Sequence, residues 1–423
     1  MKRREFLSVS AGLAGFVMQG PARSQGKPCP PPTLSVSGGG ATQSTCASAE
    51  LPSWVPTAGS VANVSLNNCV DVWHGNTFGN GSNLTEGWSD WCGAVWASDY
   101  GSHGAFIFGP GGGHGSASGY LGNEVYAWEA DTRLWKRITN PVTSFADNQA
   151  DGEVSTNIPA ASHTYDHMEY LPASLGGGAF GSNVRVVSAS NHMQGGGGSG
   201  RAHALNLKAA RDDNLSGIGV GWSRWSSNLA PSSSGGRESA CLLDTARNRF
   251  VVFQQGTGNI GLLSNTTKSW TTSAPAGPHI NLDAAACYDP VADLYLILDN
   301  RSGHYLRAYD PKNQFSAGRI TLKESGAAET TGAACLEYIP LLDKFACYRN
   351  GSSLNTIRYL SRPSGDPLTG TWTWTSETFS GVGVTSGHTN GLYSKLRWAP
   401  ALRCLAAGMG PSQGLFLFRP SGT

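Results

Sequence analysis

Hydrophobic residues recur along most of the chain in short runs separated by turn residues, a pattern typical of a repetitive all-β protein. Six segments each begin with a strand that carries an aromatic residue or leucine, often with a proline shortly after it. These first strands are predicted at residues 95–97, 169–172, 242–244, 287–290, 337–340 and 397–400. A second apolar run follows each of them after a short turn, so every segment opens with a predicted β-hairpin.

Two further strands complete each segment. A third strand is predicted at residues 124–128, 203–207, 260–263, 306–309, 357–360 and 415–418. A fourth carries tryptophan in most segments, at Trp135, Trp225, Trp270 and Trp372, and Phe315 takes this place in the fourth segment. Four strands per repeat is the make-up of a propeller blade. The sequence therefore predicts an all-β fold, a β-propeller with six blades or, as the alternative, seven.

The last repeat lacks an outer strand of its own, because only five residues follow Phe418. The run 61–72, with Val61, Val64 and Leu66, is the best donor of this strand. Such an exchange closes the ring and covers two strand edges that would otherwise invite aggregation. Residues 74–88 leave room for a partial seventh blade, but we prefer six. We thus expect one propeller domain at 61–423 after a Pro/Ser/Gly-rich connector at 26–60.

The first 25 residues have the order of an export signal. Arg3 and Arg4 precede an apolar stretch, from Phe6 to Met18, that is too short to cross a bilayer. The arginine pair resembles the start of a twin-arginine signal peptide. This resemblance implies a periplasmic or secreted protein whose mature chain has no membrane span.

Composition agrees with a β-rich exported protein. The 423 residues include 56 glycines and 13 tryptophans, whereas charged residues make up only 14%. A formal net charge of +1 offers no basic face for nucleic acid or for an anionic membrane surface. The nine cysteines contain no C-x-x-C pair, which disfavours a cysteine zinc site. Cys69 with Cys92 and Cys335 with Cys347 are candidate disulfides if the compartment is oxidising.

The first repeat also carries a recognisable motif. An apolar strand, Ala105–Phe108, leads into a triple glycine, and Tyr126 and Trp135 follow further along the chain. This order resembles a kelch repeat, and the resemblance implies a kelch-like propeller of the galactose-oxidase central-domain superfamily. It is strong in the first repeat, moderate in the second, and weak from residue 237 on, where double glycines are missing. Galactose oxidase itself needs a Tyr-His pair, which this chain lacks, so the resemblance implies architecture rather than copper chemistry.

A propeller of this kind brings polar residues from distant parts of the chain to one face. The loop before each first strand and the loop between the second and third strands open at the same end of the central channel. The residues predicted to meet there as ligand-binding groups are His279, His388, His192, Arg237, Arg301, Arg349 and Glu329. Imidazoles at this mouth could hold a divalent metal or exchange protons, and arginines could bind carboxylates. For each residue the alternative is an ordinary polar loop position.

The candidate catalytic residues are His163, His114 and Tyr165. A tyrosine beside a histidine can act as an acid or a base, as a lyase that removes a proton next to a uronate carboxylate requires. On a strand, His163 and His167 would project to the same side about 13 Å apart, too far for one metal ion. No G-x-S-x-G, P-loop or H-E-x-x-H motif occurs, so serine-hydrolase, nucleotide and zincin chemistry lack support.

Together these features predict an exported propeller that binds a glycan or another extracellular ligand at a His/Arg-rich mouth. If the protein is an enzyme, a polysaccharide lyase or hydrolase is the first expectation. One alternative is a non-catalytic scaffold for a protein of the cell envelope. Another is a metal-dependent oxidase distantly like galactose oxidase.

Overall fold

The structure, a computed structural model, describes only part of the chain. The described residues are 50–75, 84–89, 91–109, 122–141, 153–155, 157–161, 163–188, 201–226, 240–253, 259–273, 284–299, 304–312, 315, 318–328, 334–348, 354–385 and 391–423. Leu51–Thr423 form one compact unit. Within the described ranges the helices are short: α1 (Leu84–Ser89), α2 (Leu207–Asp213) and 3₁₀ turns at Cys69–Val72, Ala173–Leu175 and Pro400–Leu402.

Six sheets of the described strands are propeller blades, each built on four antiparallel strands. Blade 1 consists of β2 (Ala94–Ala97), β3 (Ala105–Phe108), β4 (Tyr126–Glu129) and β5 (Leu134–Arg137). A two-stranded ribbon of β6 (Glu153–Ser155) and β7 (Ile158–Pro159) follows in the chain. Blade 2 consists of β8 (Met168–Leu171), β9 (Ser182–Ser188), β10 (Arg201–Asn206) and β11 (Trp222–Arg224). Blade 3 consists of β12 (Ala240–Asp244), β13 (Arg249–Phe253), β14 (Ile260–Ser264) and β15 (Trp270–Ser273).

The remaining blades repeat this order with two variations. Blade 4 consists of β16 (Ala285–Asp289), β17 (Leu294–Asp299), β18 (Tyr305–Tyr309) and the short β19 (Ile320–Thr321). Blade 5 consists of β21 (Cys335–Ile339), β22 (Lys344–Tyr348), β23 (Thr356–Ser361) and β24 (Thr371–Thr378), and β20 (Lys323–Ser325) pairs in parallel outside β24. Blade 6 consists of β25 (Leu396–Ala399), β26 (Cys404–Gly408), β27 (Leu415–Arg419) and β1 (Ser60–Asn63).

The same turn geometry starts the second strand of every blade. The residue directly before that strand has a positive φ in each case, at Gly104, Gly181, Asn248, Asp293, Asp343 and Arg403. Glycine, asparagine and aspartate tolerate this left-handed conformation best, and five of these six positions carry one of them. The turn residues of the sequence thus account for the repeated hairpins.

The six blades close into a ring around their first strands. Contacts run from β2 to β8, β12, β16, β21 and β25, and from β25 back to β2. This order confirms the predicted all-β propeller, with six blades and the first strand of each blade innermost. The apolar side chains of the blades pack between neighbouring sheets, where residues such as Phe106, Ile107 and Leu296 are fully buried.

The predicted N-terminal donor strand is confirmed. β1 pairs antiparallel with β27, and Val61 lies opposite Phe418. Val61 is buried in the same apolar cluster as Phe379 and Phe418, and its backbone N–H donates to Ser380 O of blade 5. Only Ser60–Asn63 of this region forms a strand, because the chain turns into a 3₁₀ helix at Cys69–Val72.

Two strand predictions need correction, and so does the alternative of a partial seventh blade at 74–88. Phe315 lies in a turn with φ 63° rather than on a fourth strand, and Trp225 follows β11, whose own tryptophan is Trp222. In the described part of 74–88 the chain forms α1 instead of blade strands, and Trp88 of α1 stacks on Phe108 at a ring distance of 3.8 Å.

The two candidate disulfides are not formed. Cys335 lies opposite Tyr348, whereas Cys347 lies opposite Leu336. Because neighbouring residues of a strand point to opposite faces, the two thiols belong to different sides of blade 5. Cys69 and Cys92 share one apolar cluster without being joined.

Candidate functional site

The first strands of the blades begin, and the second strands end, at one end of the ring. We call this end, where the first strands begin, the mouth. Ala94 pairs with Phe108 in blade 1 and Met168 pairs with Arg185 in blade 2. The second strands therefore end where the first strands begin, and Gly109 lies at the same end.

Two of the predicted site residues, His163 and Tyr165, are described. The others, His114, His192, His279, His388, Arg237, Arg301, Arg349 and Glu329, lie outside the described residues and stay predictions.

His163 and Tyr165 form a buried hydrogen-bonded pair at the mouth. The Nδ1 atom of His163 lies 3.1 Å from the phenol oxygen of Tyr165, and the imidazole tautomer decides which atom donates. Both side chains are at most 3% exposed. The partly exposed Trp91 packs on the His163 ring, with 4.8 Å between ring centroids and 31° between planes. Tyr393 meets the Tyr165 ring edge to face at 5.4 Å.

The predicted strand geometry of residues 163–167 is wrong. Tyr165 has φ 41°, a left-handed conformation that turns the chain, so the alternation of a strand does not apply. As a result the Tyr165 ring contacts both imidazoles, at 5.4 Å from His163 and 6.2 Å from His167. Tyr165 therefore stands between the two histidines.

The left-handed aromatic residue is repeated on three consecutive blades. Tyr393, Trp91 and Tyr165 have φ 48°, 41° and 41° and lie three residues before the first strands of blades 6, 1 and 2. This conformation costs roughly 1–3 kcal/mol for a residue other than glycine, and bulky aromatic residues adopt it rarely. Cross-blade hydrogen bonds hold it in place: Tyr165 N–H donates to Trp91 O at 2.7 Å and Ala94 N–H to Ser394 Oγ at 3.1 Å.

Arg397 of blade 6 spans the centre of the ring. Its Nε donates to Ala94 O of blade 1 at 2.9 Å, and its Nη2 donates to Met168 O of blade 2 at 3.0 Å. Its Nη1 donates to Glu337 of blade 5 at 3.2 Å, and Glu169 of blade 2 lies 3.6 Å from Nη2. One guanidinium thus joins four of the six blades.

The carboxyl groups around Arg397 hold protons more tightly than usual. Burial raises the pKa of Asp166 to about 7 and that of Glu169 to about 8, although the Arg397 charge opposes both shifts. Burial also raises the pKa of Glu337. Asp166 in turn accepts a hydrogen bond from Ala286 N–H of blade 4 at 3.1 Å. Three carboxyls with raised pKa values therefore lie around one guanidinium.

A second polar group lies at the mouth end of blade 2, facing blade 1. Arg185 and His203 are neighbours in the register of β9 and β10 and are fully buried. His203 Nε2 lies 2.8 Å from Glu153 Oε1, which also accepts from Arg224 Nε at 2.6 Å. Burial lowers the pKa of His203, although the carboxylate of Glu153 opposes this shift.

The sequence analysis missed Arg185, Arg397 and the carboxyls around Arg397. Their signal was a charged residue within an otherwise apolar strand, as with Glu169, Glu337 and Arg397 in the first strands of three blades. A buried charge normally requires a partner, so such positions predict polar contacts.

No metal-binding group of three or more His, Cys, Asp or Glu side chains occurs among the described residues. In the same part of the chain, no helix combines the length and hydropathy needed for a membrane crossing.

Comparisons with known proteins add the following. No protein-family model matches the chain, and no curated protein matches it. Among solved structures, it is similar to a structural-genomics protein of unknown function from Bacteroides thetaiotaomicron, with TM-score 0.47, 10% identity, and coverage of 85% of this chain and 75% of that chain. It is also similar to the RRP9 WD40 repeats, with TM-score 0.45, 8% identity, and coverage of 88% and 99%.

A chain of a mitotic checkpoint complex is similar at TM-score 0.42 and 8% identity, with coverage of 92% of this chain and 98% of that chain. Likenesses this distant carry no argument about function, and the propeller assignment rests on the strand order and ring contacts of this chain.

Proposed function

We propose that this protein is an exported, kelch-like propeller that binds a glycan at the mouth side of blades 6, 1 and 2 and cleaves it as a polysaccharide lyase. The observation that carries the proposal is the His163–Tyr165 pair, enclosed by Trp91 and Tyr393. The twin-arginine-like start of the sequence supports an extracellular or periplasmic ligand.

The aromatic side chains support the binding part of the proposal. Trp91, Tyr165 and Tyr393 meet at one mouth although their left-handed backbones are costly. Aromatic rings offer flat apolar faces with a polar edge, which suits the stacking of a sugar ring. The partly exposed Trp91 is the ring through which a glycan would first contact this cluster.

The hydrogen-bonded pair supports the chemical part. In a lyase reaction a base removes the proton from the carbon next to a carboxylate, and the C–O bond to the leaving sugar breaks. A C=C double bond forms, and an acid returns a proton to the departing oxygen. An imidazole and a phenol 3.1 Å apart can exchange the proton that such an acid–base cycle needs. No oxidant, metal or water is consumed.

The test is an assay of the purified protein with uronate polysaccharides, in which the unsaturated product is followed by its ultraviolet absorbance. We expect turnover by the wild type and a loss of about 100-fold or more in Tyr165→Phe and His163→Ala, the usual size of acid–base catalysis. Trp91→Ala should raise KM more than it lowers kcat, because it removes a stacking surface rather than a proton-transfer group.

Tyr305→Phe provides a matched control, because Tyr305 is exposed on blade 4. Tyr305 belongs neither to the His163–Tyr165 pair nor to the aromatic cluster at the mouth. It should keep wild-type turnover. Unsaturated product formed equally by wild type, Tyr165→Phe and His163→Ala would remove these residues from the mechanism. If the wild type neither binds nor cleaves any glycan, the non-catalytic scaffold becomes the better proposal.

A further inference from the structure

Arg185 of blade 2 has an unusual environment for a charged side chain. It has no exposed surface, and its guanidinium lies over the Trp222 ring, 5.2 Å from the centroid. Nη1 donates to Ala160 O at 3.3 Å. Its Nε and Nη2 atoms are buried and have no hydrogen-bond partner among the described residues. These two atoms form one edge of the guanidinium, the fork that binds a carboxylate with two parallel hydrogen bonds.

The protein compensates this buried charge only in part. Burial lowers the pKa of Arg185 to about 10, and the more distant charge of Glu124 opposes this shift. The side chain therefore remains cationic at neutral pH. An unpaired buried cation is strongly unfavourable, so a functional reason for its position is expected.

The position of Arg185 connects it to the mouth. Arg185 lies opposite Met168, the first residue of β8, so it is at the end of blade 2 where His163 and Tyr165 lie. The Arg185 guanidinium also interacts electrostatically with Cys92, the residue after Trp91. Trp91 O in turn accepts the hydrogen bond from Tyr165 N–H. Arg185 and the His163–Tyr165 pair thus flank the same short segment of blade 1.

Gly109 of blade 1 lies beside the Nε/Nη2 edge of the Arg185 guanidinium. A Cβ atom at this position would lie 2.8 Å from Arg185 Nη2, so any larger residue would press on the guanidinium. Glycine therefore places no side chain of its own against Nη2.

We propose that Nε and Nη2 of Arg185 bind a carboxylate of the ligand, so that the ligand of the mouth is an acidic glycan built from uronates. This inference rests on the proposed function and specifies its substrate class. A carboxylate held by this fork would have its charge neutralised, which makes the proton on the neighbouring carbon easier to remove. Because Arg185 is enclosed, the acidic ligand binds only after a local opening at the boundary of blades 1 and 2, which slows its association.

The experiment compares two ligands of equal length, oligogalacturonate and its neutral methyl ester, by calorimetry at constant ionic strength. We expect the acid to bind the wild type roughly tenfold or more tightly than the ester, as a charge-assisted hydrogen-bond pair allows. Arg185→Lys keeps the charge but loses the fork, and Arg185→Met loses both. Each should retain the affinity for the ester and lose most of the preference for the acid.

Arg211→Met is the control, because Arg211 is an exposed arginine of α2 in the same blade and should keep the full preference. If the wild type binds the acid and the ester equally, the inference about Arg185 is overturned. The proposal that the mouth binds a glycan is not affected by that result. A preference that persists in both Arg185 variants overturns it as well. If the wild type binds neither ligand, the proposed function fails and the inference fails with it.

Discussion

Arg397 Nη1 and Glu337 Oε2 lie 3.2 Å apart across the boundary between blades 5 and 6. The same guanidinium reaches the backbone of blades 1 and 2 through Ala94 O and Met168 O. The contacts of this one side chain therefore span the part of the ring where the last blade meets the first. Arg397 belongs to the interactions that hold the ring closed.

We expect Arg397→Met to lower the free energy of unfolding by about 3–5 kcal/mol, the usual cost of removing one partner of a buried ion pair. The variant loses the bonds to Ala94, Met168 and Glu337. Urea unfolding followed by tryptophan fluorescence measures the change. Arg211→Met serves as the exposed control, and an equal, small effect of both substitutions would show that the central arginine has no special role.

The stability of the protein should fall as the pH rises through the neutral range. In the unfolded chain Glu169 loses its proton near pH 4.5, whereas in the folded protein its pKa is raised to about 8. Between these two pH values the folded protein keeps a proton on Glu169 that the unfolded chain has released. The stabilisation of the folded state by this proton is complete below about pH 4.5 and is lost as the pH approaches 8. Asp166, whose pKa is raised to about 7, adds a slope of the same sign at lower pH, so Glu169→Gln should remove only the part due to Glu169. In melting temperatures measured across the range, its effect should be clearest between pH 7 and 8.

Asp343→Asn is the control for the pH experiment. The ion pair with Arg362 lowers the pKa of Asp343, so its contribution is present above pH 3.8 and is lost on acidification below it. The variant should therefore change the acid side of the profile and leave the neutral side as in the wild type. A neutral slope unaffected by Glu169→Gln would assign the titration to other groups.

Gly93→Ala should damage both stability and ligand binding. A Cβ at position 93 would lie 2.5 Å from Tyr165 O, at the point where blades 6, 1 and 2 meet. Overpacking of this kind costs about 1–3 kcal/mol, and it would displace the turn that holds the Tyr165 ring. Gly365→Ala is the matched control, since nothing lies within 4 Å of its added methyl. The measurements are the melting temperature and the glycan affinity of both variants. Equal values for Gly93→Ala and Gly365→Ala would contradict the prediction.

Val61→Asp should weaken ring closure. The substitution places a carboxylate opposite Phe418 in an apolar cluster where Val61 is 2% exposed. We expect a loss of about 3 kcal/mol or more, from the lost apolar contacts and the buried charge together. Leu66→Asp, at a position 63% exposed, should have little effect. Limited proteolysis provides a second readout, because a released β1 becomes accessible to cleavage.

The architecture was predictable because it depends on local patterns. Alternation of apolar residues, turn residues before each second strand and the missing outer strand of the last repeat all belong to short stretches of sequence. They led to six blades and to β1 as the partner of β27, and both are confirmed. The errors at Phe315 and Trp225 arose where one aromatic residue was taken as the mark of a strand.

The chemistry of the ring centre was not predictable in this way. Whether Glu169, Glu337 and Arg397 meet depends on which side of each strand faces the channel, and their partners come from blades far apart in sequence. The left-handed conformation of Trp91 and Tyr165 leaves no periodic signal either, since it follows from contacts with neighbouring blades. Of the predicted mouth, only His163 and Tyr165 fall within the described residues.

The pairing of β1 with β27 also affects how the protein is made. A ribosome produces β1 before blades 1 to 5 and β27 after them, so β1 remains without its partner while these blades are synthesised. A chain that stops before Leu415 would leave β1 and β26 with unpaired edges, and unpaired strand edges promote aggregation. The edges of β1 and β26 thus stay open until β27 has been made.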